Sequence, residues 1–277
     1  MHEAGGTSGG EGAAMRMETA TVERHEPFTD AYRLLVIEAP GIGPRVQPGQ
    51  FVHLRLPAPA DAILRRPFSV FKADARSLQI VYKAVGRGTL AMTKLAPGDA
   101  VSLIGPLGRG FPMPTPDRVP VLVAGGYGMA ALYLLAAKAP SPGIAFFGGR
   151  TAADILCVSD FEALGWPVRV ATEDGSLGER GRVTDALDGW LRSPAGRRPV
   201  AFFACGPNAM LQAVAGRAER LGVPSWISMD RNMGCGVGAC LTCVQKVRSP
   251  DGGWTWARCC REGPVFAGGD VVWEDDV

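Results

Sequence analysis

Short apolar runs separated by turn residues occupy residues 18 to about 112 of the chain. Tyr32–Glu38, Phe51–Leu56, Phe68–Lys72, Leu78–Ala84 and Ala100–Ile104 read as strands. Turn dipeptides such as Pro48-Gly49 and Pro97-Gly98 lie between them. One short helix is predicted, over Thr89–Leu95. Successive short strands with so little helix predict a small antiparallel barrel.

Phe111-Pro-Met-Pro-Thr-Pro116 reads as a linker, and beyond it the rhythm changes. Apolar runs at Val119–Ala124, Ile144–Phe147, Val168–Ala171, Val200–Ala204 and Ser225–Ser228 alternate with helical stretches. The strongest helices are Met129–Ala139, Gly181–Leu191 and Asn208–Leu221. This alternation predicts a doubly wound, largely parallel sheet. From Arg231 a glycine- and cysteine-rich loop begins, and Val244–Arg248 with Trp254–Arg258 predicts a hairpin around Pro250-Asp-Gly-Gly253. The expected organisation is multi-domain β and α/β: a disordered tail over 1–17, a barrel over 18–115, an α/β domain over 116–230 and a small domain over 231–277.

A chain of 277 residues, 47% hydrophobic, is long enough for several domains with cores of their own. The net charge of +2 makes no electrostatic case for nucleic acid. The opening MHEAGGTSGGEGAAMRM has no apolar h-region and is not read as a signal peptide. No apolar run reaches the ~18 residues of a membrane span. Cytoplasmic location is expected, since free cysteines suit a reducing compartment.

The cysteines carry the sharpest chemistry. Met233-Gly-Cys-Gly-Val-Gly-Ala-Cys-Leu-Thr-Cys243 is followed by Cys259 and Cys260. Gaps of four and two residues, then a longer one, match the plant-type spacing for a [2Fe–2S] cluster. Gly234, Gly236 and Gly238 remove side chains that would obstruct a curled loop with amide N–H groups turned toward sulfur. A structural zinc site usually takes two separated cysteine pairs, which fits poorly.

Other motifs are individually weaker. Arg65-Arg66-Pro67-Phe68-Ser69 offers a guanidinium for a pyrophosphate and a hydroxyl for a flavin edge. The bland alternative is a solvent-facing Arg on an ordinary strand. Val85-Gly86-Arg87-Gly88-Thr89 follows a strand and opens a helix, so it fits either a phosphate cradle or a plain turn with Thr89 as N-cap. Gly125, Gly126 and Gly128, between a strand and a helix, stand where a dinucleotide pyrophosphate would lie, without the G-x-G-x-x-G spacing. Cys205-Gly206-Pro207 ends a later strand, where a Cys is more often a small buried hydrophobe. Glu173 and Asp174, at the same sheet edge, would repel a 2′-phosphate and favour NAD over NADP, or form only a solvated turn.

The order barrel, R-x-F-S, G-x-G-T, glycine turn, C-G-P, cysteines resembles the ferredoxin–NADP reductase superfamily. Met233–Cys243 together with Cys260-Arg-Glu-Gly-Pro-Val-Phe266 resembles, more specifically, its electron-transfer subunits of NAD-dependent dihydroorotate dehydrogenases. The resemblance runs from about residue 18 to the end. It implies FAD at Arg66, Pro67, Phe68 and Ser69, with its phosphates at Gly86, Gly88 and Thr89. It implies NAD at Gly125, Gly126 and Gly128, with Cys205, Gly206 and Pro207 near the nicotinamide. Ser69 and Cys205 would flank the reacting rings. Cys235, Cys240, Cys243 and Cys260 would ligate iron, with Cys259 a neighbour. The implied partner is an FMN-containing catalytic subunit that oxidises dihydroorotate in pyrimidine biosynthesis, in a heterotetramer. Tyr127 and Ala131 depart from the family pattern, which commonly has Ile or Val and Pro there. The alternative is a reductase subunit of a ferredoxin-dependent, sulfur-reducing or hydrogenase complex.

Overall fold

The computed structural model describes residues 14–57 and 64–273. Most of the expected tail, residues 1–13, lies outside them. Arg16 and Met17, expected in that tail, instead begin β1 (Arg16–Pro27), pairing with Gly105 and Ile104. β1 is absent from the predicted strands because it lacks an apolar run: only Ala20 and Val22 of its 12 residues are buried.

The remaining strands of the first sheet are β2 (Tyr32–Glu38), β3 (Phe51–Arg55), β4 (Arg66–Ser69), β5 (Lys72–Ala73), β6 (Ser77–Lys83) and β7 (Ala100–Leu107). Their order is β4-β3-β7-β1-β2-β6-β5, and every pairing is antiparallel. The run Phe68–Lys72, predicted as one strand, is divided. β4 and β5 lie at opposite edges of the sheet, joined only by Val70 and Phe71. Val70 N–H donates to Gln50 and Phe71 N–H to Gln79, one toward each edge. Two residues span ~7 Å at most, so the sheet must curl round upon itself. Leu35, Ile37, Leu54, Leu78, Ile80 and Leu103 fill its interior. The helix α1 (Arg87–Met92) begins two residues earlier than expected.

The second sheet contains β8 (Val119–Gly125), β9 (Ile144–Gly149), β10 (Val168–Thr172), β11 (Glu179–Arg180), β12 (Val200–Cys205) and β13 (Ser225–Ser228). Its order is β11-β10-β9-β8-β12-β13-β16, parallel except for β16 (Val265–Ala267). α2 (Gly128–Lys138) and α3 (Val158–Ala163) pack on one face, against Leu122, Phe147 and Phe203. α4 (Val183–Leu191) and α5 (Asn208–Leu221) pack on the other, against Val121, Phe146 and Phe202. α3 carries too short a pattern to be recognised from sequence.

α2 is apolar nearly all round because it is covered on two sides. Met129, Leu132 and Leu135 face the sheet, whereas Leu134 enters the barrel core. Tyr133 meets Phe71 edge-on at 4.9 Å. Phe111, expected at the head of a linker, is itself core: it is buried and packs edge-on against Phe203 at 6.0 Å.

The hairpin β14 (Val244–Arg248) and β15 (Trp254–Arg258) occurs where predicted. The C-terminal segment is not packed apart from the rest. β16 extends the second sheet, and Cys243, Cys259 and Cys260 share a buried cluster with Phe51 and Leu107 of the barrel and Ile227 and Met229 of the α/β unit. No helix of the described residues is long and apolar enough to cross a membrane.

Candidate functional site

On the barrel, the structure brings two sequence motifs together. A Cβ on Gly88 would lie 1.6 Å from Arg66 Nε, so the guanidinium stacks where that glycine has no side chain. Arg66 Nη1 also donates to the Leu64 carbonyl at 2.8 Å. The preceding Arg65 is structural: it donates to the carbonyl and hydroxyl of Ser102 on β7, each at 2.8 Å. Thr89 is not the N-cap; Gly86 is, in extended conformation. The Thr89 hydroxyl oxygen accepts from the N–H groups of Val85 at 2.9 Å and Gly86 at 3.0 Å, closing the turn itself. A Cβ on Gly86 would meet nothing within 4 Å, so this edge is open to a ligand. Phe68 packs edge-on against Tyr82. A cavity of about 590 Å³ opens along the end of β6, lined by Pro27, Tyr32, Lys83 and Thr93, but contains none of the predicted flavin residues.

In the second sheet the chain runs outward in both directions from β8, so the crevice between the carboxyl ends of β8 and β12 is a topological switch point, where ligands of such sheets bind. The Gly125–Gly128 turn and Cys205-Gly206-Pro207 meet there. Their glycines differ in purpose. A Cβ on Gly128 would be 2.1 Å from the Cys205 carbonyl oxygen, and one on Gly125 would be 2.9 Å from Pro207. Both therefore serve close packing of the two turns. Gly126, with φ +55°, has Tyr32 Oη of the barrel as its neighbour, 3.6 Å from such a Cβ. Tyr127 donates its hydroxyl to Asp230 at 2.6 Å, across the ends of β8, β12 and β13. Cys205 is buried, and desolvation raises its thiol pKa to about 12, so it is a neutral thiol and not a nucleophile. Glu173 and Asp174 lie exposed just after β10, and the Asp174 carboxylate, held low by Ser176, accepts from that residue's N–H and hydroxyl.

The cysteine loop contains no helix or strand from Arg231 to Cys243. Gly236 and Gly238, with φ +72° and +88°, give it the curl. The amides of Val237 and Ala239 donate to Cys235 Sγ at 3.4 and 3.3 Å. Cys235 N–H donates to Cys240 Sγ and Cys260 N–H to Cys243 Sγ, both at 3.4 Å. Amides aimed at sulfur are the environment a thiolate-held cluster requires. Among the four thiols, Cys240 interacts with Cys235, and Cys260 with Cys243 and, to a lesser extent, with Cys235. The Thr242 hydroxyl, 3.1 Å from Cys240 Sγ, is the main cause that lowers that thiol to about 6. Burial pushes Cys260 up to about 12. Among the described residues no group of three or more His, Cys, Asp and Glu side chains stands close enough to hold a metal ion; it is the spacing of the cysteines that matches a [2Fe–2S] cluster. Arg258 locks the closing turn, pairing with Glu262 and donating to the Gly238 carbonyl at 2.8 Å.

Strand β3 joins the flavin motif to this loop. Phe51 opposes Ser69, and His53 opposes Pro67, so these four residues share one face of the strand pair. Phe51 packs in the cluster that contains Cys243, Cys259 and Cys260. His53 is wholly buried, and a Cβ on Gly236 would lie 2.3 Å from its Nδ1. Burial lowers its pKa to about 4. The Cys235 backbone is close enough to favour a proton on the ring, yet neither ring nitrogen has a partner within hydrogen-bond geometry. His53, Thr242, Asp230 and Arg258 are absent from the residues predicted. The only sequence signal for His53 was a lone His inside an apolar strand, and Thr242 stood between two cysteines.

A family model described as the iron–sulfur cluster binding domain of dihydroorotate dehydrogenase B matches residues 230–272. Two bacterial proteins named dihydroorotate dehydrogenase B (NAD(+)), electron transfer subunit, match most of the chain. That of Desulforamulus reducens is 38% identical over 242 residues, covering 86% of this chain and 91% of its own. That of Geobacillus kaustophilus is 40% identical over 237 residues, covering 82% and 87%. The solved structure of an NADH-dependent reduced ferredoxin–NADP oxidoreductase, studied for flavin-based electron bifurcation, has a TM-score of 0.80 at 27% identity, covering 98% of this chain and 92% of that one. A ferredoxin–NADP+ reductase from Neisseria gonorrhoeae shares the fold, with a TM-score of 0.62 at 19% identity. With such identity along most of its length, the chain belongs to the family of dihydroorotate dehydrogenase B electron-transfer subunits.

Proposed function

We propose that this chain carries electrons from a catalytic partner subunit to NAD, with a [2Fe–2S] cluster and FAD as its cofactors. The partner is an FMN-containing dihydroorotate dehydrogenase, the assembly a heterotetramer, and the pathway cytoplasmic pyrimidine biosynthesis. The observation that carries this reading is the shared face of β3 and β4, which has Ser69 of the flavin motif at one end and the cluster loop against His53 at the other.

Arg66, braced over Gly88, supplies positive charge for the FAD pyrophosphate beside the turn at Gly86 and Thr89. Phe68 and Ser69 would contact the flavin, the Ser69 hydroxyl supplying a hydrogen bond to it. Gly126 leaves space for the NAD phosphates, Gly125 and Gly128 keep that turn against Gly206 and Pro207, and Cys205 lines the nicotinamide side. Cys235, Cys240, Cys243 and Cys260 would hold the cluster. Cys259, wholly buried, supports the turn between them. Bound there, flavin supplies the exchange between single electrons and a hydride that a cluster and a nicotinamide cannot make directly. The chain's own work is to hold each group and keep water away from the interface at Phe51 and His53.

The test is anaerobic NAD reduction by dihydroorotate with the reconstituted pair of subunits. The isolated chain is expected to oxidise NADH with an artificial dye but not to oxidise dihydroorotate. Removal of iron is expected to abolish coupling and leave NADH–dye activity largely intact. Equal coupled rates with and without iron, or dihydroorotate oxidation by this chain alone, would refute the proposal. A second reading, a reductase subunit that serves a ferredoxin, is favoured by the similarity over 98% of the chain to the NADH-dependent ferredoxin–NADP oxidoreductase. Reduced ferredoxin in place of dihydroorotate in the same assay separates the two.

A further inference from the structure

His53 is a polar side chain with no assigned task in a position that gives it one. It is wholly buried, and neither Nδ1 nor Nε2 has a partner within hydrogen-bond geometry, although the Cys235 backbone lies close enough to favour a proton on the ring. An imidazole that keeps a donor and an acceptor unpaired in a protein interior carries the desolvation penalty of both groups without compensation. An apolar residue at this position, like Val52 and Leu54 on either side, would avoid that cost. The ring lies between the two cofactor motifs: it opposes Pro67 of the flavin strand, and its Nδ1 edge faces Gly236, the residue after Cys235. Gly236 is itself buried, at φ +72°, with no room for a Cβ because the imidazole occupies that space. The loop offers its amides to the sulfurs from its own side, through Val237 and Ala239. On the barrel side, among the described residues, the unpartnered buried polar group facing the loop is His53.

We propose that His53 is the positioning residue between the cofactors: its ring seats the cluster loop at Gly236 against the flavin strand pair, and its buried N–H is the barrel's hydrogen-bond donor to the bound [2Fe–2S] unit. Hydrogen bonds to cluster sulfurs tune reduction potential, because they stabilise the more negative, reduced form. His53 thereby sets both the fit of the loop on the flavin strands and how readily the cluster accepts an electron. The inference rests on Cys235 being an iron ligand.

The test uses the full chain with FAD and iron in place, and compares His53→Phe, which fills the space without a donor, with His53→Asn, which restores an N–H near the Nδ1 position. Iron and FAD content are measured, and the cluster midpoint potential is followed by electron paramagnetic resonance during redox titration. The expected result is a more negative potential in His53→Phe and recovery toward the wild-type value in His53→Asn. If His53→Phe sheds its iron while His53→Asn keeps both iron and potential, the donor is again supported. An unchanged potential in His53→Phe overturns the proposal. So do an equal shift in both variants and iron loss from both, since a purely steric role would then suffice. Cys235→Ser is run in parallel: retention of iron there refutes the ligand assignment, whatever the His53 variants do.

Discussion

The flavin strand pair and the cysteine loop touch at His53 but are held together by different means. β3 and β4 are joined by a backbone ladder, Arg66 is braced by the Leu64 carbonyl, and the Thr89 hydroxyl closes its own turn. Every one of those bonds ends on protein nitrogen or oxygen. In the loop, four amide contacts of 3.3–3.4 Å end on sulfur, and no strand or helix interrupts it. A neutral thiol is a weak acceptor, whereas metal binding contributes folding free energy directly. The difference teaches that the flavin side is held by bonds that need no cofactor, while the cluster loop, though anchored by Arg258, directs several of its amides at sulfurs that bound metal would make far stronger acceptors.

The largest expected effect is on the loop. Changing Cys235, Cys240, Cys243 or Cys260 to Ser should each remove or weaken the cluster, seen as loss of iron and of visible absorption, and should loosen the loop to proteolysis. Cys259→Ser should spare iron. The opposite pattern for Cys259 and Cys260 would overturn the choice of Cys260 as the fourth ligand.

Next comes the barrel. Arg66→Ala removes a charge-assisted contact worth roughly 1.5–3 kcal/mol, about a tenfold to hundredfold loss of FAD affinity. Iron content and the thermal unfolding of the apoprotein should not change. Full retention of FAD after dialysis would exclude Arg66 from the site, and loss of the fold would contradict a preorganised barrel.

The two kinds of glycine give a sharper contrast. Gly128→Ala drives a Cβ against the Cys205 carbonyl, 2.1 Å away in this backbone. Overpacking of that kind costs about 1–3 kcal/mol, so the apoprotein should melt at lower temperature. Gly86→Ala meets open space and should leave the melting temperature unchanged while weakening FAD. Equal effects of the two on stability would erase the distinction between packing and ligand glycines.

The smallest effect concerns nucleotide choice. NADPH should be a poorer donor than NADH, and Glu173→Gln with Asp174→Asn should narrow the gap only a few-fold, because exposed charges are screened by solvent. A steady-state comparison of kcat/KM for the two nucleotides measures it. No change in the ratio would place the adenosine ribose away from β10.

The chemistry was legible wherever it depends on local spacing. Cys235, Cys240 and Cys243 lie within nine residues, so their gaps alone indicate a cluster loop, and Asn208–Leu221 and Ser225–Ser228 appear with the bounds that their apolar patterns predict. What depends on distant packing was not legible. β1 is a strand because β2 and β7 flank it, not because its residues alternate. The division of Phe68–Lys72 between two sheet edges follows from barrel closure, which no local pattern records. Gly88, Gly125 and Gly128 look alike in sequence; tertiary structure decides that Gly88 clears space for Arg66 and the other two for the Cys205–Pro207 turn. His53 could be read only as a histidine in an apolar strand. Its meaning comes from Gly236, nearly two hundred residues further along, since burial, and with it the demand for a hydrogen-bond partner, is created only when the barrel and the loop come together.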